Sequence, residues 1–373
     1  METAVPILIF FVILGVVIAV HEFGHFIMAR RAGMFVKEFA LGMGPRLLTI
    51  KGKKKSQYPI EGEDDVTHFT LRLLPIGGFC SVRGQDDEMP DDPEAMGNKS
   101  ISKRALFMFG GSLFNFIFAL ILFFGIILAT GYIVPQASTI IENSPAYHAG
   151  MMIGDRVTHI NGSRVSLWEN FRFMLDMNGG NPMHMRVNRG GQNVDLIVTP
   201  VQNTAGTYVV GFGTTTMVGF MDEVPPYPNF RRVSVFGSFV TAVDTIAFNI
   251  RMPFRLLARL ATNQPVPDGG GVMGPIGIAG IVTEVYQGTI QHGFINTLIP
   301  MLMLGALISV AVGTMNLMPI PALDGARLLF LLIEAIRRKP VPQEREAMVH
   351  FVGIIVIIAL GVFIAYRDIV NLL

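Results

Sequence analysis

Residues 5–28 read VPILIFFVILGVVIAVHEFGHFIM. From Val5 to Val20 the run holds only apolar residues, one glycine and one proline, and then His21, Glu22 and His25 interrupt it. About 20 apolar residues rising 1.5 Å each cross the hydrocarbon core of a bilayer. The stretch therefore predicts a membrane helix that carries three ionisable side chains. A cleaved secretory signal is the competing reading. The stretch has no basic leader, its apolar run is too long, and no small-x-small site follows, so a retained helix is expected.

Further spans follow the same pattern at about 105–130, 293–317 and 348–366. Composition agrees: 51% of residues are hydrophobic and 15% charged, with a mean hydropathy of +0.49. The formal net charge of +1 gives no reason to expect nucleic-acid binding. Cys80 is the only cysteine, which excludes an intrachain disulfide and leaves a plain structural residue as the simplest reading.

The spans divide the chain into a first membrane helix (1–30), a polar segment (31–104), a second helix (105–131), a small sheet-and-helix domain (132–205), a linker with amphipathic helices (206–290) and two closing helices (291–373). Lys37, Lys51, Lys53, Lys54, Lys55, Lys99, Lys103 and Lys339 lie in 30–104 or just after the third span, whereas 131–292 has no lysine. The positive-inside tendency then puts the basic segments in the cytoplasm, and both termini and 131–292 outside. Asp65–Leu73 alternates like a strand, and Pro75-Ile76-Gly77-Gly78 marks a bend into a second extended piece, so a β-hairpin against the membrane is expected. Gln85–Glu94, rich in Asp and Pro, reads as a loop. Ala137–Ile141, Arg156–Ile160, Met183–Asn188 and Val194–Thr199 read as strands, and Leu167–Met177 as a helix. Apolar and arginine positions over 229–262 suit an amphipathic helix pair at the outer membrane surface.

His21 and His25 are one helical turn apart and share a face, so two imidazoles can grip one Zn2+ while Glu22 handles the proton of a water. The alternative is a polar helix face with satisfied histidines. Ionisable groups inside a span are costly and are usually functional, which favours the zinc reading. A further ligand could come from His68, His292, His350, Glu334 or Asp324. Asp324 stands out. It ends Asn316-Leu317-Met318-Pro319-Ile320-Pro321-Ala322-Leu323-Asp324-Gly325, where two prolines forbid regular helix beside an apolar span. Irregular backbone at that depth must be buried in protein or line a watery cavity. Taken alone, Asp324 could equally cap the helix that follows. In the second span, Gly110-Gly111-Ser112 permits close helix packing, and Asn115 needs a hydrogen-bond partner or touches substrate.

His-Glu-x-x-His in the first span and Asn-x-x-Pro-x-Pro-x-Leu-Asp-Gly beside the third together resemble the site-2 protease family, closest to its bacterial RseP-type members. Leu41-Gly42-Met43-Gly44-Pro45, Pro75-x-Gly77-Gly78, Gly154-Asp155 and Ile160-Asn161-Gly162 add to the likeness. The resemblance implies a polytopic α-helical membrane protein with about four transmembrane helices, a membrane-associated cytoplasmic β-hairpin and one external PDZ-like α+β domain. It implies His21, His25 and Asp324 as zinc ligands, Glu22 as general base, and Asn316 at the substrate. Where some relatives carry a second asparagine, this chain has Ala311. Expected partners are the lipid bilayer and single-span membrane proteins in the cell (inner) membrane, such as anti-sigma factors or signal-peptide remnants. The competing functions are a catalytically silent adaptor that docks peptides through its PDZ-like domain, and a membrane-anchored zincin projecting into the cytoplasm.

Overall fold

The computed structural model describes residues 4–62, 64–85, 89–204, 206–219, 221, 230–262 and 274–372. Parts of two sequence readings lie outside these residues: 86–88 of the Asp/Pro-rich loop, and 205, 220, 222–229 and 263–273 in and beside the linker. In chain order the elements are α1 (Ala4–Ala32), β1 (Val36–Lys55), β2 (Val66–Val82), α2 (Ile101–Thr130), β3 (Gly131–Ile140), α3 (Pro145–His148), β4 (Arg156–Ile160), β5 (Ser163–Arg164), α4 (Trp168–Asn178), β6 (Met183–Arg189), β7 (Gln192–Val198), β8 (Val201–Gln202), β9 (Tyr208–Val209), β10 (Phe212–Val218), β11 (Phe230–Arg232), α5 (Val235–Ala261), α6 (Pro275–Thr289), α7 (Phe294–Leu317), α8 (Asp324–Arg337) and α9 (Gln343–Leu372). They form two compact units, residues 1–119 with 272–373 and residues 120–271.

Among the described residues, α1, α2, α7 and α9 are long and apolar enough to cross a membrane. At 29 residues, α1 is about 43 Å long, more than a hydrocarbon core requires. It stops at Gly33, whose φ of 74° admits the left-handed turn. The Met34 N–H then reaches Ala29 O and the Gly33 N–H reaches Arg30 O, which satisfies two terminal carbonyls. In the first unit α1 and α2 touch through glycine. A Cβ on Gly110 would stand 2.8 Å from Gly24 O, and one on Gly24 would overlap Gly110 O. The small residues of the second span thus let the two backbones meet.

β1 and β2 are long and curl on each other. Residues 38–41 of β1 register with 68–71 of β2 on one side and with 78–81 on the other, while 48–51 register with 68–71. The bend expected at 75–78 is where β2 carries its chain around to that second pairing. Glu38, buried within this sheet, accepts from Thr70 Oγ1 (2.6 Å), Arg72 Nη2 (2.7 Å) and Arg46 Nη2 (2.6 Å). Burial alone would raise its pKa; these donors outweigh it and hold the carboxyl below its usual range. Met43, Leu47, Leu48, Ile50, Leu71, Leu73 and Leu74 are all exposed on this sheet.

Three tethers fix the C-terminal helices of this unit. Asp368, buried near the end of α9, accepts from the Gly274 and Gly277 N–H groups (3.0 and 2.9 Å) and so satisfies the start of α6. Arg104 of α2 grips Glu334 of α8 through both guanidinium nitrogens, at 3.0 and 2.5 Å. Gly353 of α9 packs directly on Pro321, where a Cβ would overlap the proline.

In the second unit a seven-stranded sheet runs β11-β10-β3-β4-β6-β7, with β5 on β4. Along β6, Met183, Met185 and Val187 are buried and His184 and Arg186 exposed, the alternation of a strand with one face on a core. That core also holds Val157, Ile160, Phe171, Leu175, Val198 and Phe212. Trp168 stacks on Phe171 at 5.0 Å and closes it. Asp155 accepts from the Met152 N–H and from Arg189, anchoring the Gly154 turn. The expected helix pair over 229–262 is instead one helix, α5, which runs through Pro253. The buried side of α5 (Ala242, Thr245, Ile246, Phe248) lies before the proline, and the helix continues beyond it to Ala261 despite the backbone bond that Pro253 cannot make. Phe236, Phe239 and Val243 line an exposed apolar side of α5.

Candidate metal centre

His21 and His25 stand on one face of α1, and both are buried. Asp324 reaches them from the first residue of α8; Leu323, not Asp324, occupies the cap position. Pro319 and Pro321 keep the 318–323 link out of helix, so the chain leaves α7 and re-enters helix at the aspartate. Gly325 permits that turn, since a Cβ there would run into the carbonyls of Leu317 and Met318. The three donor atoms converge. Asp324 Oδ2 lies 3.2 Å from His21 Nε2 and 3.1 Å from His25 Nε2, and the two Nε2 atoms are 3.2 Å apart.

These spacings fit a tetrahedral zinc. Zinc bound at 2.0–2.1 Å separates its ligand atoms by about 3.3 Å. The tautomers fit as well. His25 Nδ1 donates to Phe107 O at 2.9 Å, which leaves the Nε2 lone pair pointing to the centre. His21 Nδ1 lies 3.3 Å from the Asn115 amide. With that amide turned so that its oxygen faces the ring, Oδ1 accepts the Nδ1 proton and His21 Nε2 also presents a lone pair. In the other orientation Oδ1 is buried without a partner. Two unprotonated imidazole nitrogens and a carboxylate oxygen in van der Waals contact repel one another unless a cation sits among them.

A cavity of about 360 Å³ opens beside the centre, lined by Glu22, Asn316, Arg327 and the Gly77–Cys80 edge of β2 among others. Glu22 lies against that edge: the Cys80 backbone hydrogen-bonds it, and a Cβ on Gly78 would stand 3.0 Å from its Cγ. Asn316 donates to Val312 O at 3.1 Å and lines the cavity. Asn115 does not line the cavity; it is fully buried behind His21. Cys80 is buried, and burial, then the nearby Glu22 charge, push its thiol well above the usual range, which disfavours the thiolate. The other sequence candidates stay apart from the cluster. His68 pairs with Asp64 (2.8 Å), Glu334 with Arg104, and His350 with the Ala322 backbone.

One residue was hidden from sequence reasoning. A Cβ on Gly111 would stand 2.5 Å from His25 Nε2 and 2.6 Å from His21 Nε2. The Gly-Gly pair signals close packing, but only the helix crossing shows that its second member makes room for the His21 and His25 rings.

Peptidase family M50 matches residues 9–360. The chain belongs to that family. This M50 chain is 32% identical to a putative zinc metalloprotease of Clostridium perfringens, over 95% of each chain. It is 28% identical to the zinc metalloprotease RasP of Oceanobacillus iheyensis, over 100% of each chain. With the probable protease eep of Enterococcus faecalis it shares 25% identity, over 97% of this chain and 98% of that one. A PDZ domain of an SdrC-like protein from Listeria innocua is similar at 18% identity and a TM-score of 0.20, covering 22% of this chain and 92% of the domain.

Proposed function

We propose that this M50 chain is a zinc metallopeptidase of the site-2 type that hydrolyses peptide bonds in membrane-embedded segments. The observation that carries this reading is the convergence of His21, His25 and Asp324, with Glu22 beside them: the first two and Glu22 lie on α1, which is long and apolar enough to cross a membrane, and Asp324 opens α8 just after a second such helix, α7. When bound, zinc supplies a Lewis acid that polarises a carbonyl and makes water nucleophilic near neutral pH. His21, His25 and Asp324 would hold it. Glu22 takes a proton from the attacking water and delivers it to the leaving nitrogen as the C–N bond breaks, leaving a carboxylate on the other fragment. Asn115 orients His21 instead of touching substrate, and Asn316, which lines the cavity, would meet the substrate near the reacting carbonyl.

A peptide bond in a membrane helix is shielded by its own hydrogen bonds, so the substrate must be drawn out first. The Gly77–Cys80 edge lies on the cavity wall and suits pairing with an extended peptide. Single-span membrane proteins, such as anti-sigma factors or signal-peptide remnants, are the proposed substrates. The exposed leucines of the β1–β2 sheet suit contact with lipid. The lysine distribution favours a cytoplasmic side for that sheet, with both termini and a PDZ-like second unit outside.

Metal analysis and cleavage of a single-span substrate test the reading together. Glu22→Gln is expected to keep zinc and lose cleavage. Asp324→Ala is expected to lose zinc as well. A Glu22→Gln enzyme that still cuts would remove Glu22 from the chemistry, and zinc-free wild-type protein that cuts would favour a different reaction.

A further inference from the structure

Asp324 is only as well placed as the 318–323 link before it, and that link contains an unusual residue. Ala322 has φ 75°, a left-handed conformation that a side chain disfavours. Its backbone N–H donates to Nδ1 of His350 on α9, at 2.9 Å. Because Nδ1 accepts, the ring proton resides on Nε2, which faces the Glu346 carboxylate one turn away at 3.7 Å. Gly353, one turn further along α9, lies against Pro321 of the same link. α9 thus touches two consecutive residues of the link. Ala322, Leu323 and Asp324 line the metal-centre cavity and His350 does not; it lines a separate cavity with Glu334 and Glu346.

We infer that His350 is a positioning residue for the metal centre: by holding the left-handed turn at Ala322 it sets the Asp324 carboxylate over His21 and His25. The inference rests on the zinc reading above. His350 neither ligates metal nor meets substrate. It supplies one oriented acceptor to a backbone that would otherwise relax toward a right-handed or extended conformation and carry Asp324 with it.

The test measures zinc affinity by chelator competition in the full-length protein, alongside cleavage. His350→Ala is expected to weaken zinc binding about tenfold or more, in the range seen when groups behind metal ligands are removed. His350→Asn offers an amide oxygen at the same branch position and is expected to restore most of the affinity. Ala322→Gly adopts the left-handed turn without help. Combined with His350→Ala, it is expected to recover a large part of the loss, a coupling that a general packing defect would not produce. Unchanged affinity in His350→Ala overturns the inference. So does equal loss in His350→Ala and His350→Asn with no rescue by Ala322→Gly. Wild-type protein that binds no zinc would instead sink the metal-centre reading, and this inference with it.

Discussion

At the scale of single residues, the metal centre depends on groups that carry no metal-binding chemistry. Gly111 has no side chain, and the His21 and His25 rings occupy the space one would fill. Gly111→Ala is expected to lower bound zinc at least tenfold, because the rings must leave the rotamers that bring their Nε2 atoms together. Gly15→Ala on α1, where a Cβ meets nothing within 4 Å, is expected to bind zinc normally. Equal stoichiometry in the two variants, measured by elemental analysis, would show that the rings accommodate the methyl. That His21 and His25 share a face was legible because an i, i+4 spacing on a helix decides which side chains stand together. The glycine's role was not, since it depends on how α2 crosses α1.

At the scale of elements, α8 matters because it starts with Asp324, and the fork between Arg104 and Glu334 ties it to α2. Both side chains are only 14% exposed, so removing one partner strands the other's charge. Arg104→Ala is expected to cost about 3 kcal/mol or more, read as a lower unfolding temperature in detergent. Arg104→Lys is expected to recover only part of it, since an ammonium cannot fork onto both oxygens. A variant as stable as wild type would mean that water replaces the pair. The long helices were readable from apolar run length alone. The helix pair expected over 229–262 from apolar and arginine positions is instead the single helix α5, because an amphipathic pattern marks a helical face but not where one helix ends and another begins. Asp324 was recognisable as a ligand candidate, but its alternative role as a cap disappeared only when Leu323 was seen to hold that position.

At the scale of the whole chain, the two units can be followed separately because Trp168 is the only tryptophan and lies in the second. Buried Asp155 is held below the ordinary aspartate value of 3.8; its own burial opposes this and Arg189 with the Met152 N–H overcome it. A depressed folded-state pKa adds stability above 3.8 that is lost as pH falls through the folded value. Trp168 fluorescence should therefore report easier unfolding of the second unit below about pH 3.8. Asp155→Asn should be less stable at neutral pH and should converge with wild type in acid. Parallel pH profiles for the two proteins would rule the pair out as the cause.

The sequence alone determined the four apolar helices, the His-Glu-x-x-His face and the Asp324 candidate, because run length and helical spacing are local properties of the chain. It also fixed the alternating strands of the second unit, whose two-residue period needs no partner to be seen. Only the tertiary structure decided that Asp324 meets His21 and His25 across some 300 residues, with donor atoms 3.1–3.2 Å apart. The same holds for Gly111, Asn115 and His350. Each acts through a neighbour brought in by a helix crossing or a reversed link, and such contacts have no signature in the order of residues.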